Sequence, residues 1–179
     1  LALLCVYVVL YGVTQWVQAV RGLSGTAAGL LLLPMTVVAG LIVYPISRRN
    51  LVRGPLLLGA LCCLIASAGV FLLDGSSWIG WLVVITIVFG VAQGAAGAAN
   101  QTALYAQAPA DQLGTASGLL RTFGYLGSIA ASAITGVVFR TRVTDHGLHV
   151  AGAIMIGVSL ALTLLTLATA GARTRSPLT

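Results

Sequence analysis

Long apolar runs alternate with short polar breaks six times along this chain. The runs lie at about 1–20, 26–46, 55–73, 79–106, 113–139 and 149–170. A bilayer core of ~30 Å needs about 20 helical residues to cross it, so each run predicts a spanning helix. The breaks collect turn formers and charge: Arg21 to Gly25, Ser47 to Gly54, Asp74 to Ser77, Ala108 to Gly114, and Arg140 to His149. The pattern predicts an all-α membrane protein, with six transmembrane helices over residues 1–172 and a cytoplasmic tail at 173–179.

Polar side chains inside the runs are few, and their spacing sorts the helices. In the first run Tyr7, Tyr11, Gln15 and Gln18 share one helical face, with Thr14 beside them. In the fourth, Gln93, Gly97, Asn100 and Gln101 do the same. The second run holds Pro34 and Pro45, and the fifth is dense in glycine. In the third and sixth, Leu56 to Leu73 and Val150 to Leu167 hold only Ser67, Ser159, Thr163 and Thr166 as polar side chains. The order polar stripe, kinked or small, plain thus occurs twice. Such weak internal symmetry marks transporter repeats, and a repeat of three crossings inverts its own topology.

Composition narrows the class. Apolar residues make up 59% of 179 positions and charged ones 7%, against about 25% charge in soluble domains. All nine cations are arginine, against three aspartates, for a net charge of +6. No basic stripe interleaved with aromatics points to nucleic acid. Arginine enrichment instead reports topology. Arg48, Arg49, Arg53, Arg173 and Arg175 fall on one side, and Arg21, Arg140 and Arg142 on the other. This count puts both termini in the cytoplasm of a multi-pass cell-membrane protein. Cys5, Cys62 and Cys63 sit in apolar runs, without disulfide or zinc spacing, and read as small packing residues. The chain opens on Leu1 within a helix, which reads as a fragment lacking its upstream part.

Several features invite chemistry. Gly124, Ser128, Ser132 and Gly136 form one small-residue stripe, Gly127, Ala131 and Thr135 a second, and Gly90, Gly94 and Ala98 a third. Such faces let helix backbones approach closely in lipid. Pro34, mid-span, should bend its helix. The amide and phenol stripes of the first and fourth helices are candidates for a polar path, with inter-helix hydrogen bonding as the other reading. That chemistry suits small organic substrates better than bare ions. Arg121, early in the fifth helix, could snorkel, cap a cytoplasmic gate with Arg48, Arg49 and Arg53, or contact substrate. No Asp or Glu lies within a span, so no proton relay is evident. The Asp145-His146-Gly147-Leu148-His149 run reads as a plain exterior loop rather than a metal site. Gly22-Leu23-Ser24-Gly25 matches an intramembrane serine protease pattern but has no histidine evidently placed as base. Nothing calls for a cofactor.

Two stretches carry a family resemblance. One is Trp16 to Ser24 followed by Ala28-Gly29-Leu30 through Pro34. The other is Phe89 to Gly94, Pro109, Gly114 to Leu119, and Arg121 to Gly127. These resemble the carboxy-terminal half of a major facilitator superfamily transporter, and more narrowly its fourteen-helix drug:proton antiporter branch. The run Tyr44 to Gly54 is similar to the superfamily's basic loop motif, without the preceding aspartate. The resemblance implies one half of a major facilitator fold. The first and fourth helices would line a central cavity, the second and fifth border the other half, and the third and sixth face lipid. It implies proton-driven export of drugs or amphipathic metabolites, completed by an amino-terminal half or a dimer partner. The alternative is a membrane-embedded structural or regulatory half that transports nothing.

Overall fold

The computed structural model describes residues 1–172, leaving the tail 173–179, with Arg173 and Arg175, outside the described residues. Six long helices follow one another: α1 Ala2–Arg21, α2 Gly25–Arg48, α3 Arg53–Phe71, α4 Ile79–Gln107, α5 Leu113–Val138 and α6 Asp145–Ala172. No strand occurs among the described residues. All but α5 are long and apolar enough to cross a membrane. The 26 residues of α5 match them in length, but Arg121 and its glycines, serines and threonines lower its hydropathy.

Local sequence sets the boundaries. Gly22 adopts a left-handed conformation (φ 64°) that ends α1, a geometry glycine takes without steric cost. Two residues later the Ser24 hydroxyl accepts a hydrogen bond from the Ala27 N–H at 3.2 Å and caps α2. Asn50, at φ 48°, turns the chain between α2 and α3. The helix α2 continues through both Pro34 and Pro45. The sixth helix starts at Asp145, one turn before the expected 149, because the Thr144 hydroxyl accepts from the Gly147 N–H at 3.2 Å. Asp145 through His149 is therefore a first helical turn rather than a loop. Within α1, Val9–Val13 form a π-helical turn, a wider coil often found at functional positions.

The packing has a pseudo-twofold pattern. Helices α2 and α3 pack on α4, α5 and α6 pack on α1, and α3 and α6 pack on each other. Exchanging α1 with α4, α2 with α5 and α3 with α6 reproduces the same set of neighbours. The chain is thus two inverted three-helix repeats, each wrapped around the first helix of the other. A front layer runs α2, α4, α1, α5, and α3 and α6 form the back.

In lipid, helix contact depends on close approach rather than on hydrophobic drive. A Cβ on Gly90 would lie 2.5 Å from the Met35 carbonyl oxygen, and one on Gly94 2.6 Å from that of Ala39. These glycines set α4 against α2 backbone to backbone. Gly59 brings α3 to Ala92 and Ala96 of α4, and Gly152 brings α6 to Phe71. Trp16, Met35, Phe89 and Met155 fill the centre and are fully buried.

Candidate substrate path on the front face

The polar stripes of α1 and α4 both open to the front. Tyr7 is half-buried, and Tyr11, Gln15 and Gln18 are exposed. Tyr7 and Tyr11 stack with ring centroids 5.8 Å apart. The Tyr11 hydroxyl lies 3.3 Å from the Ser128 hydroxyl and ties α1 to α5. The Gln18 amide donates to the Thr14 carbonyl at 3.1 Å. On α4, Asn100 and Gln101 are exposed and Gln93 is half-buried, while a Cβ on Gly97 would meet nothing within 4 Å.

Two buried side-chain atoms lack a hydrogen-bond partner among the described residues: Thr14 Oγ1 and Gln93 Oε1. Thr135, Thr163 and Thr166 each donate to the carbonyl four residues back, at 2.8 Å. Thr14, directly after the π turn, makes no such bond. An unmet polar group in a low-dielectric interior costs free energy.

Helix α5 contributes the flank. Its contact with α1 runs along Gly127, where a Cβ would lie 3.4 Å from the Leu4 nitrogen, together with buried Ala131 and Thr135. Gly124 and Ser128 lie at the edge of this contact, against Leu3 and Tyr11. Ser132 is exposed, and Gly136 has open space beside it. Arg121, exposed, lies two turns before Ser128 on the same face, since seven residues return a helix almost to its starting azimuth. It makes no hydrogen bond or ion pair among the described residues. Arg48, Arg49 and Arg53 are exposed at the same end of the bundle as the start of α5.

The back holds what the residue pattern left unread. Ser67 of α3 and Ser159 and Thr163 of α6 turn inward. Ser159 donates to Cys63 Sγ at 3.3 Å and lies 3.6 Å from Cys5 Sγ and 3.1 Å from the Ser67 hydroxyl. Ser67 donates to the Cys63 carbonyl at 2.7 Å. Four small side chains from α1, α3 and α6 thus satisfy one another in a buried knot. Their apolar setting concealed this, because small hydroxyls and thiols read equally as filler.

The end opposite Arg48 is tied by side chains. The Trp16 indole donates to Asp145 Oδ1 at 2.8 Å, and the Gly75 N–H donates to Oδ2 at 3.1 Å. Arg21 donates to the Ser77 carbonyl. His149 Nε2 lies 2.7 Å from the Leu73 carbonyl, so this nitrogen carries the proton. Neither histidine is hydrogen-bonded to Ser24. Asp74 accepts from the Ser76 hydroxyl and N–H, which hold its carboxyl below the usual value of 3.8. A Thr-Asp pair ahead of an apolar run is a helix-start signal that could have placed Asp145.

Among the described residues no large enclosed chamber is seen on the front. A gap of about 10 Å³ beside Thr14 would hold at most one water. A cleft of about 410 Å³ lies away from the stripes, among Thr141, Arg142, Thr144 and His146. The front is an open polar surface, one wall rather than a pocket.

Inverted helix triplets with polar stripes on one broad face define half of a secondary-transporter bundle. Residues 1–132 match the Major Facilitator Superfamily, and the chain belongs to that family. It is 32% identical over 158 residues to the uncharacterized MFS-type transporter YwoD of Bacillus subtilis (strain 168), covering 84% of this chain and 34% of that protein. It is 28% identical over 142 residues to the tetracenomycin C resistance and export protein of Streptomyces glaucescens, covering 76% of this chain and 26% of that protein. The chain therefore spans about a third or less of the length of these curated relatives. No solved structure matches it.

Proposed function

We propose that this unit is the carboxy-terminal half of a proton-coupled exporter of drugs or amphipathic metabolites, of the fourteen-helix drug:proton antiporter kind, whose front face lines the substrate path. In this reading Tyr7, Tyr11, Gln15, Gln18, Gln93, Asn100 and Gln101 contact substrate or its water. A second six-helix half, or a second copy, faces them. Arg48, Arg49, Arg53 and Arg121 belong to the cytoplasmic end of a cell-membrane protein, an orientation supported by the arginine count of the loops. Resistance and export in the name of one relative favour the same direction of transport.

One observation carries the reading. Tyr11, Gln15, Gln18, Asn100, Gln101 and Arg121 stay exposed on the front, whereas Ser67, Ser159 and Thr163 of α3 and α6 are buried and paired. Hydrocarbon does not tolerate such residues singly, so the front must meet water, substrate or another protein surface. Cysteine accessibility tests this in membranes holding the chain. A hydrophilic thiol reagent should label cysteines at Tyr11 and Gln101 and spare those at Ile65 and Leu164, which are exposed on the back. Protection at the first pair with labelling of the second would overturn the path. Labelling as expected, but with no loss of dye efflux when Tyr11→Ala and Asn100→Ala are placed in the parent transporter, would favour a non-transporting half.

A further inference from the structure

Charge on the front face has one sign. The aspartates all lie at helix ends or in loops. Asp74 is bound by Ser76 and Ser77, Asp145 by Trp16 and Gly75, and Asp111 sits in the short turn before α5. None is hydrogen-bonded to a stripe residue. Among the described residues the one cation set well inside a long helix is Arg121, exposed and without a partner among them. It shares the α5 face of Ser128, which bonds Tyr11. Seven residues of helix put about 10 Å of axial rise between Arg121 and Ser128. A long helical side chain leans toward its own amino terminus, so both the arginine and the tyrosine rings incline toward the Arg48 end.

We propose that this face selects aromatic substrates that carry an anionic group, with the Tyr7–Tyr11 pair receiving the ring and Arg121 the anion. The inference rests on the front face being the substrate path. The stacked phenols offer a flat surface with polar rims. Carboxamides at Gln15 and Gln93 bond donors and acceptors alike and leave the sign of charge to Arg121. A guanidinium presents a planar fork of donors that fits carboxylate, sulfonate or phenolate oxygens. A cationic compound of the same shape finds no carboxylate there and meets like charge in a weakly screened setting.

The test uses the full chain in nanodiscs of zwitterionic lipid and two fluorescent probes of equal bulk, a naphthalene sulfonate and a naphthyl trimethylammonium. Fluorescence anisotropy should show the sulfonate binding at least about tenfold more tightly. Arg121→Gln should abolish the preference, and Arg121→Lys should keep part of it. The triple variant Arg48→Gln, Arg49→Gln, Arg53→Gln should retain it, which separates a local effect from the net charge of the chain. Tyr11→Ala should weaken both probes equally. Equal binding of the probes, or a preference that survives Arg121→Gln, overturns the inference. If both probes bind and Tyr11→Ala weakens both, the path reading still stands in that case. If neither probe binds, or Tyr11→Ala changes neither, the path reading fails and the inference with it.

Discussion

The front and back of this bundle are both built from long, mostly apolar helices, yet they treat polar atoms differently. On the back, Cys5, Cys63, Ser67 and Ser159 share hydrogen bonds in a fully buried knot. On the front, Asn100, Gln101 and Arg121 stand exposed, and Gln93 Oε1 and Thr14 Oγ1 are buried without partners among the described residues. A polar group embedded in hydrocarbon must be satisfied internally or reach something polar outside the helix bundle. The back uses the first solution and fixes three helices together. The front leaves part of its polar capacity unspent, as the proposed substrate path requires.

The two ends of the bundle differ in the same sense. Asp145, Arg21 and His149 tie the loops at one end, while at the other Arg48, Arg49 and Arg53 are exposed and make no side-chain bond among the described residues. The tied end offers the strongest way to break the comparison. Asp145→Ala should strand the fully buried Trp16 indole N–H and the Gly75 N–H, costing about 3 kcal/mol. A thermal melt in detergent would read this, and Asp145→Asn, which keeps an acceptor, should lose less. Next comes the seam within the front layer. Gly90→Ala should cost about 2 kcal/mol because its Cβ meets the Met35 backbone at 2.5 Å, whereas Gly97→Ala, with nothing within 4 Å, should cost almost nothing. Equal losses would show that α2 and α4 are not seated backbone to backbone.

A smaller effect sharpens the contrast directly. Ser159→Ala should lower stability by about 1 kcal/mol, since buried inter-helix hydrogen bonds in membranes are worth roughly that or less. Gln93→Leu should leave stability unchanged or slightly raised, because its carbonyl oxygen has no partner to lose, while dye efflux by the parent transporter falls. The smallest effect concerns pH. The folded-state pKa of Asp74 is depressed by its bonds to Ser76 and Ser77, so that contribution is present at neutral pH. It is lost as pH falls below about 3.8 and through the lowered folded value. Faster amide exchange at Ser76 and Ser77 should appear only in that acid range.

Much of this was legible along the chain. Hydropathy together with the spacing of the polar breaks marked the six helices, five of which are long and apolar enough to cross a membrane. The face shared by Tyr7, Tyr11, Gln15 and Gln18 follows from helical periodicity, and the repeat order follows from which helices carry polar groups. The start of α6 at Asp145 was within reach through Thr144, but the charged pattern outweighed the cap.

The sequence by itself determined how many helices form, roughly where they end, and which azimuth of each is polar, since these depend on local periodicity and on the solvent. Tertiary structure alone decided which polar residues find one another. Ser128 became a partner of Tyr11 and not only a small packing residue, Trp16 reached across 129 positions to Asp145, and Ser159 joined two cysteines of other helices. Hydrogen bonds act over about 3 Å and require specific approach angles, so a shift of one helical turn between neighbours would exchange every one of these partners. Periodicity within a single helix carries no record of the register between two.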